Sequence, residues 1–256
     1  MLKEIIISIQ SYFEAHQFIK KHKLWKWILV PGIIYAIFFI YGFSFFWSSS
    51  SQAIEWILIQ SHAKSWLEKM EDGWLSFFFI IGQIFIRLLL LIYYLSLFKF
   101  LFFILGSPVV AYLSEKTESI IKNESYHVNT KQLIPDIIRG SKIAVRNFFW
   151  QTIYFITLFF LSLIPLIGWP TPLFFIFIDC YYIGFSMLDY NNARKNISFN
   201  KSVAIIGHHR GLAIGNGIVF YLFHVLPLVG WIFAPSYAVI AATISLHKDT
   251  NEINKN

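Results

Sequence analysis

Charge is scarce in this chain. Of its 256 residues only 14% are Asp, Glu, Lys or Arg, while 57% are hydrophobic and 20% aromatic. About a quarter charged is ordinary for a soluble domain, so this shortage excludes one and marks an integral membrane protein. Cysteine is scarcer still. Cys180 stands alone, which excludes an internal disulfide framework, and its place in an apolar run makes it a packing residue. There is no P-loop, HExxH, nucleophile elbow or zinc spacing, and no pair of acids at catalytic spacing on one predicted helix. Nothing therefore points to an enzyme, a cofactor or a metal. No small-residue cleavage site follows the first apolar run, so the polar, Lys-rich residues 1–26 are not read as a cleavable signal.

What is present is an arrangement of apolar runs with basic ends. The net charge of +7 could suggest nucleic acid. Its Lys and Arg residues instead sit where runs end, as topology signals and contacts to anionic lipid. Residues 1–23 set Ile5, Ile6, Ile9, Tyr12, Phe13 and Phe18 against Lys3, Glu14, Lys20, Lys21 and Lys23, an amphipathic interfacial helix. Residues 27–47 carry no charge and have Trp at both ends, a first transmembrane span. Residues 48–73 are acidic on balance and read as an external loop. Residues 74–105 form a second, over-long span ended by Gly106-Ser107-Pro108. Residues 114–147 are basic and helix-forming, and 189–212 are basic as well, so both are cytoplasmic together with the N-terminus. The whole of 1–246 reads as a single membrane domain, with 247–256 a polar tail.

The second half carries the strongest signal. The apolar stretches 148–188 and 213–246 are broken by nearly the same phrase, Pro165-Leu166-Ile167-Gly168-Trp169 and Pro227-Leu228-Val229-Gly230-Trp231. Their arms are shorter than or marginal to the roughly 17–25 residues a crossing requires. The fold expected is all-α: two long transmembrane helices, two hemi-penetrating (re-entrant) helical hairpins and the amphipathic N-terminal helix. Pro165, Gly168, Pro227 and Gly230 are the structural residues of the two turns. Irregular backbone at such depth must be buried in protein or line a wet cavity.

Polar groups near these turns are the candidate anion contacts. Thr171, followed by Pro172, suits an N-cap, and Pro235 before Ser236 suits the start of a second returning helix. Two helix N-termini at depth would offer amides to an anion. Arg87, near the middle of the second span, should face protein or water, with Asp179 as its partner. Gly207, Gly211 and Gly215 share a helical face suited to close packing, beside the basic His208-His209-Arg210. Arg210 would line the cytoplasmic side.

An ordered set of motifs carries a family resemblance. It comprises residues 24–31 (Leu-Trp-Lys-Trp-Ile-Leu-Val-Pro), Gly106-Ser107-Pro108 with Ser114-Glu115-Lys116, and Ile164-Pro165-Leu166-Ile167-Gly168. Leu188-Asp189-Tyr190, Ser198-Phe199, and His209-Arg210-Gly211 with Gly215-Asn216-Gly217 complete it. Over roughly residues 5–246 the chain resembles the CysZ family of bacterial inner-membrane proteins and their etoposide-induced eukaryotic relatives. The resemblance implies two long transmembrane helices with two hemi-penetrating hairpins, homo-oligomers built on dimers, and passive sulfate entry that feeds cysteine synthesis. It also implies an anion site at an Arg-Arg pair before the first helix proline. Those positions are Trp25 and Lys26 here, with Lys23 close enough to supply the second charge. The alternative is a non-transport scaffold whose half-inserted hairpins shape the membrane and whose basic residues bind anionic lipid.

Overall fold

The computed structural model describes residues 1–60, 80, 81, 84, 87, 88, 91, 93, 94, 100, 104, 106–124, 133–162, 164, 168, 170–226 and 229–253. These form two compact units, Met1–Ala36 with Lys99–Asn256, and Ile37–Phe98. The described elements are helices: α1 (Leu2–Lys21), α2 (Trp25–Gln60), α3 (Ser107–Lys122), α4 (Leu133–Ser162), α5 (Thr171–Arg194), α6 (Phe199–His208), α7 (Arg210–His224) and α8 (Val229–Ile253). Among the described residues three segments are long and apolar enough to cross a membrane: Trp25–Gln52, Ile137–Ser162 and Thr171–Ala193.

In the first unit, α7 lies among α1, α5 and α8. Small residues set how close these helices come. A Cβ on Gly217 would stand 1.8 Å from the Cys180 carbonyl oxygen of α5, and one on Gly184 of α5 would stand 1.9 Å from the Ala213 carbonyl of α7. Across the other face, a Cβ on Gly215 would lie 2.7 Å from the Ile5 carbonyl of α1. Glycine is therefore required by contact at these positions, as small residues are at membrane helix interfaces. Cys180 is buried in this packing. The inward face of α1 is Ile7, Ser8, Ser11, Tyr12, Ala15 and Ile19, which leaves Leu2, Ile6 and Phe13 exposed.

Polar bonds then fix the register of these helices. The Tyr12 hydroxyl donates to the Asn216 carbonyl at 2.8 Å, and Asn216 Nδ2 donates to the Ala238 carbonyl of α8 at 2.9 Å. His16 Nδ1 and the Tyr237 hydroxyl are 2.8 Å apart, Ser114 of α3 meets Thr243 of α8 at 3.2 Å, and Lys248 pairs with Glu14.

Two boundaries differ from the sequence expectation. α2 does not stop at Trp47 but runs to Gln60, through the first half of the segment expected as a loop. Ser50 and Ser51 hydroxyls fold back onto the Trp47 carbonyl at 3.1 and 3.0 Å, so the serine run is accommodated inside the helix. The arms of the first hairpin are also longer than expected, 30 residues for α4 and 24 for α5. Polar residues on either side of 148–188 continue both helices, so α4 and α5 each have the length to cross a bilayer.

Candidate functional site

The α1–α2 corner places Lys23 and Lys26. α1 ends in a Schellman turn. The Leu24 amide donates back to the Ile19 carbonyl at 3.1 Å, Lys23 takes the left-handed conformation at φ 54°, and Ile19 and Leu24 are both buried. The other left-handed positions, Asn123 and Asn196, are asparagines, which tolerate that backbone better than lysine. Lys23 and Lys26 are both exposed. Trp25 between them is half-buried, edge-on to His16 and to Phe233 with centroids 6.2 Å away in each case. It is a packing residue of the corner. Desolvation, and then the charge of Lys21, hold His22 below the ordinary imidazole range, so the positive charge here comes from the lysines.

The two turns share a hydrogen-bond pattern. The Ile164 amide donates to the Leu161 carbonyl at 3.1 Å and the Gly168 amide to the Ile164 carbonyl at 2.8 Å. The equivalent Leu226–Phe223 and Gly230–Leu226 bonds measure 3.0 and 2.9 Å. A Cβ on Gly168 would stand 2.2 Å from the Ser162 carbonyl, and one on Gly230 would stand 1.6 Å from the Phe223 carbonyl. Both glycines are thus needed where the chain folds back on the preceding helix end. Pro165 and Pro227 lie outside the described residues.

Neither returning helix has the N-terminus expected of it. Pro170 is the N-cap of α5 and Thr171 is already helical. The Thr171 hydroxyl donates to the Gly168 carbonyl at 2.6 Å and so does not accept from the helix. The first-turn amides are also engaged: Thr171 N–H on Gly168, Leu173 and Phe174 N–H on Pro170. In the second hairpin α8 starts at Val229, so Pro235 lies inside the helix and Ser236 is buried within it. Burial of residues 234–246 on all sides, and the seating of Ile232 against Gly32, outweigh the one backbone bond that Pro235 removes.

Asp179 belongs to the first unit and Arg87 to the second. Asp179 is 4% exposed and accepts a 2.5 Å bond from Gln151 Nε2. It is one rung of a polar ladder between α4 and α5. Asn147 Nδ2 donates to the Ser186 hydroxyl at 3.1 Å, and Arg139 grips Asp189 through Nε and Nη2 at 3.1 and 2.8 Å. Arg139 Nη1 also reaches the Ile197 carbonyl at 2.5 Å, and the Ser202 hydroxyl donates to Asp189 at 2.5 Å. Such a bidentate, fully bonded pair suits a buried site. The Leu-Asp-Tyr motif carried Asp189, but no sequence pattern named Arg139 as its partner. Arg87, in the second unit, is exposed. Its guanidinium lies 5.9 Å from the Trp47 ring centroid, beside a cleft of about 280 Å³ that includes Ser50 and Ser51.

The cluster at 207–217 divides in two. α6 ends at His208 and α7 begins at Arg210. Gly211 and Gly215 face α1, whereas Gly207, on α6, has open space around it. Glu4 of α1 accepts the Gly211 amide at 3.0 Å, and its other oxygen is 3.6 Å from His209 Nδ1. Arg210 points elsewhere. Its Nε donates to the Gly207 carbonyl at 2.8 Å, and it lines an open pocket of about 460 Å³ with Arg146, Trp150, Tyr154, Tyr181 and Tyr182. Arg146 was legible only as one of several basic residues before the first hairpin. Among the described residues no three His, Cys, Asp or Glu side chains converge as metal ligands do.

Long apolar helices, a glycine-packed core and buried polar rungs define a polytopic α-helical membrane protein. The family model described as "Sulfate transporter CysZ/Etoposide-induced protein 2.4" matches residues 11–235, and the chain belongs to that family. It is similar to the sulfate transporter CysZ of Pseudomonas syringae pv. tomato, 26% identical over 175 residues, which are 67% of this chain and 68% of that protein. It is also similar to the sulfate transporter CysZ of Pseudomonas aeruginosa (strain LESB58), 26% identical over 196 residues, 75% and 78% of the two chains.

Proposed function

We propose that this protein is a passive sulfate permease that supplies sulfur assimilation. The observation that carries the reading is the family match over residues 11–235, joined by relatives named as sulfate transporters. Two features support it. Lys23 and Lys26 are exposed together at the α1–α2 corner, where the family's paired cations would stand. Arg210 lines a pocket that also holds a second arginine. The cations, more than Thr171 and Ser236, carry the anion contacts in this reading, because the α5 first-turn amides are already bonded and Ser236 lies inside α8. Lysine neutralises an oxyanion as a point charge, so Lys26 attracts sulfate without the bidentate grip of arginine. Arg87 favours anions over cations.

The reading places the chain in a bacterial inner membrane with its N-terminus cytoplasmic, as homo-oligomers built on dimers. Both hairpins begin and end on the cytoplasmic side, and the second turns within the bilayer. The test is uptake of radiolabelled sulfate by proteoliposomes, against empty liposomes. The expected result is saturable, sulfite-sensitive entry that falls several-fold in Lys26→Ala and Arg87→Ala at unchanged folded yield. Entry no faster than in empty liposomes, with protein folded and oligomeric, would sink the permease reading and favour the lipid scaffold. The hairpin depths are read separately. Single cysteines at Pro170 and Val225, in a Cys180→Ser background, are labelled from each side with a membrane-impermeant maleimide. Labelling of Val225→Cys from the outside overturns the re-entrant second hairpin.

A further inference from the structure

Arg146 and Arg210 come from α4 and α7, far apart in sequence, yet line one pocket. Among the described residues neither has a carboxylate partner. Arg146 spends Nη1 on the Asn147 side chain at 2.9 Å and lays its guanidinium 4.9 Å from the Phe185 ring centroid. Arg210 spends only Nε, on Gly207. The remaining guanidinium nitrogens are left for another acceptor. Tyr181, on α5, lines the same pocket. Two like charges brought to one pocket repel, and a shared anion turns that repulsion into attraction.

The pocket's depth and size describe the anion. On α4 the polar residues Lys142, Arg146 and Asn147 give way to Phe148, Phe149 and Trp150, and from Phe149 onward the outward residues are apolar or aromatic apart from Thr157, whose hydroxyl donates back to the Ile153 carbonyl. Trp150, at 47% exposure, and Tyr154 are the residue types that settle at headgroup level. The volume of about 460 Å³ far exceeds the roughly 30 Å³ share of one water, so the pocket has room for a hydrated ion or a larger group. Its apolar side is Phe177, Ile178 and Ile214, of which Phe177 is 56% exposed.

We propose that Arg146, Arg210 and Tyr181 form a binding site for a tetrahedral oxyanion at the membrane interface. Each guanidinium fork offers paired N–H donors to such a group and the tyrosine hydroxyl offers one more. The group is either a free sulfate or the phosphate of an anionic lipid. The proposal adds a site to the permease reading and rests on that reading only in naming sulfate as the free form.

The test uses the full chain, purified and delipidated, with two probes. Radiolabelled sodium sulfate is measured by scintillation proximity, and phosphatidylglycerol retention is measured by native mass spectrometry with phosphatidylcholine as competitor. Wild type is expected to bind at least one probe, and Arg146→Gln/Arg210→Gln to lose it by at least tenfold. Loss of sulfate binding identifies a free-ion site, and loss of phosphatidylglycerol alone identifies a lipid-phosphate site. Arg210→Lys, which keeps charge without the fork, is expected to fall between. If the double variant is not monodisperse, Arg210→Gln alone, at an exposed position, is expected to weaken binding several-fold. Wild type that binds neither probe, or variants that bind both as wild type does, overturns the site. Sulfate uptake absent from wild type with phosphatidylglycerol binding intact would remove the permease reading and leave the site standing.

Discussion

The first hairpin, α4 with α5, and the second, α7 with α8, turn on almost the same five residues and the same pair of backbone bonds. Their surroundings are opposite. After the first turn, Leu173, Phe174 and Phe177 are all more than half exposed, and α4 presents Phe149, Ile153 and Phe160 outward. After the second, residues 234–246 are continuously buried. The arms of the first hairpin are held together by polar rungs from Arg139–Asp189 to Gln151–Asp179. The second is seated on α1 by close approach at Gly211 and Gly215 and on α5 at Gly217, and its α8 is alanine-rich and buried. A repeated phrase therefore specifies a turn, while flanking composition decides what surrounds it. Large apolar side chains with a polar seam suit a hairpin facing lipid, where association cannot rely on the hydrophobic effect. Small side chains suit a hairpin enclosed by protein.

The first hairpin therefore breaks through polarity and the second through volume. Arg139→Met gives the largest expected effect. It leaves Asp189, 3% exposed, with an uncompensated charge, which costs about 3–5 kcal/mol in buried pairs. Chemical unfolding in detergent measures it, and the added change Asp189→Leu is expected to restore most of the loss. If Arg139→Met is silent, the seam does not hold the first hairpin. Next comes Gly230→Ala, expected at about 3 kcal/mol, the upper end for overpacking, because the new Cβ meets backbone. Gly168→Ala is expected nearer ~2 kcal/mol, since its Cβ would stand 2.2 Å from the Ser162 carbonyl against 1.6 Å from the Phe223 carbonyl at Gly230. A reversed order in their unfolding midpoints would contradict the contrast. Ala238→Leu follows, at about 1–3 kcal/mol for added volume at a site with no exposure.

Much of this was legible. Pro-Leu-x-Gly-Trp announced both turns, and the glycine spacing at 211 and 215 announced a close helix contact. What escaped had local rules that tertiary packing overrode. Thr171 and Pro172 look like a cap and a first residue, but Pro170 starts the turn one step earlier. Pro235 looks like a helix start, yet packing around Ala234 and Tyr237 carries α8 through it. Gly207 has the right spacing but belongs to α6, because the chain breaks at His209. Arg139 and Arg146 could not be paired from sequence at all. Their partners lie across a hairpin, and nothing local distinguishes a basic residue that will be buried from one that marks topology.

The smallest expected effect tests the other side of the contrast. Phe174 follows the first turn and is 59% exposed, so its ring makes little contact with the protein. A comparable ring in a packed core costs about 3–5 kcal/mol when cut to alanine. Here Phe174→Ala is expected to change detergent unfolding by less than about 0.5 kcal/mol, as substitutions away from buried features do. The same variant in bilayers has a second reading. A ring that faces acyl chains gives up lipid contact, so partition into lipid, and not unfolding, carries the change. A loss of 2 kcal/mol or more in detergent would mean that Phe174 is covered by protein. That cover would have to come from another copy of the chain, since the residue is open in the single one.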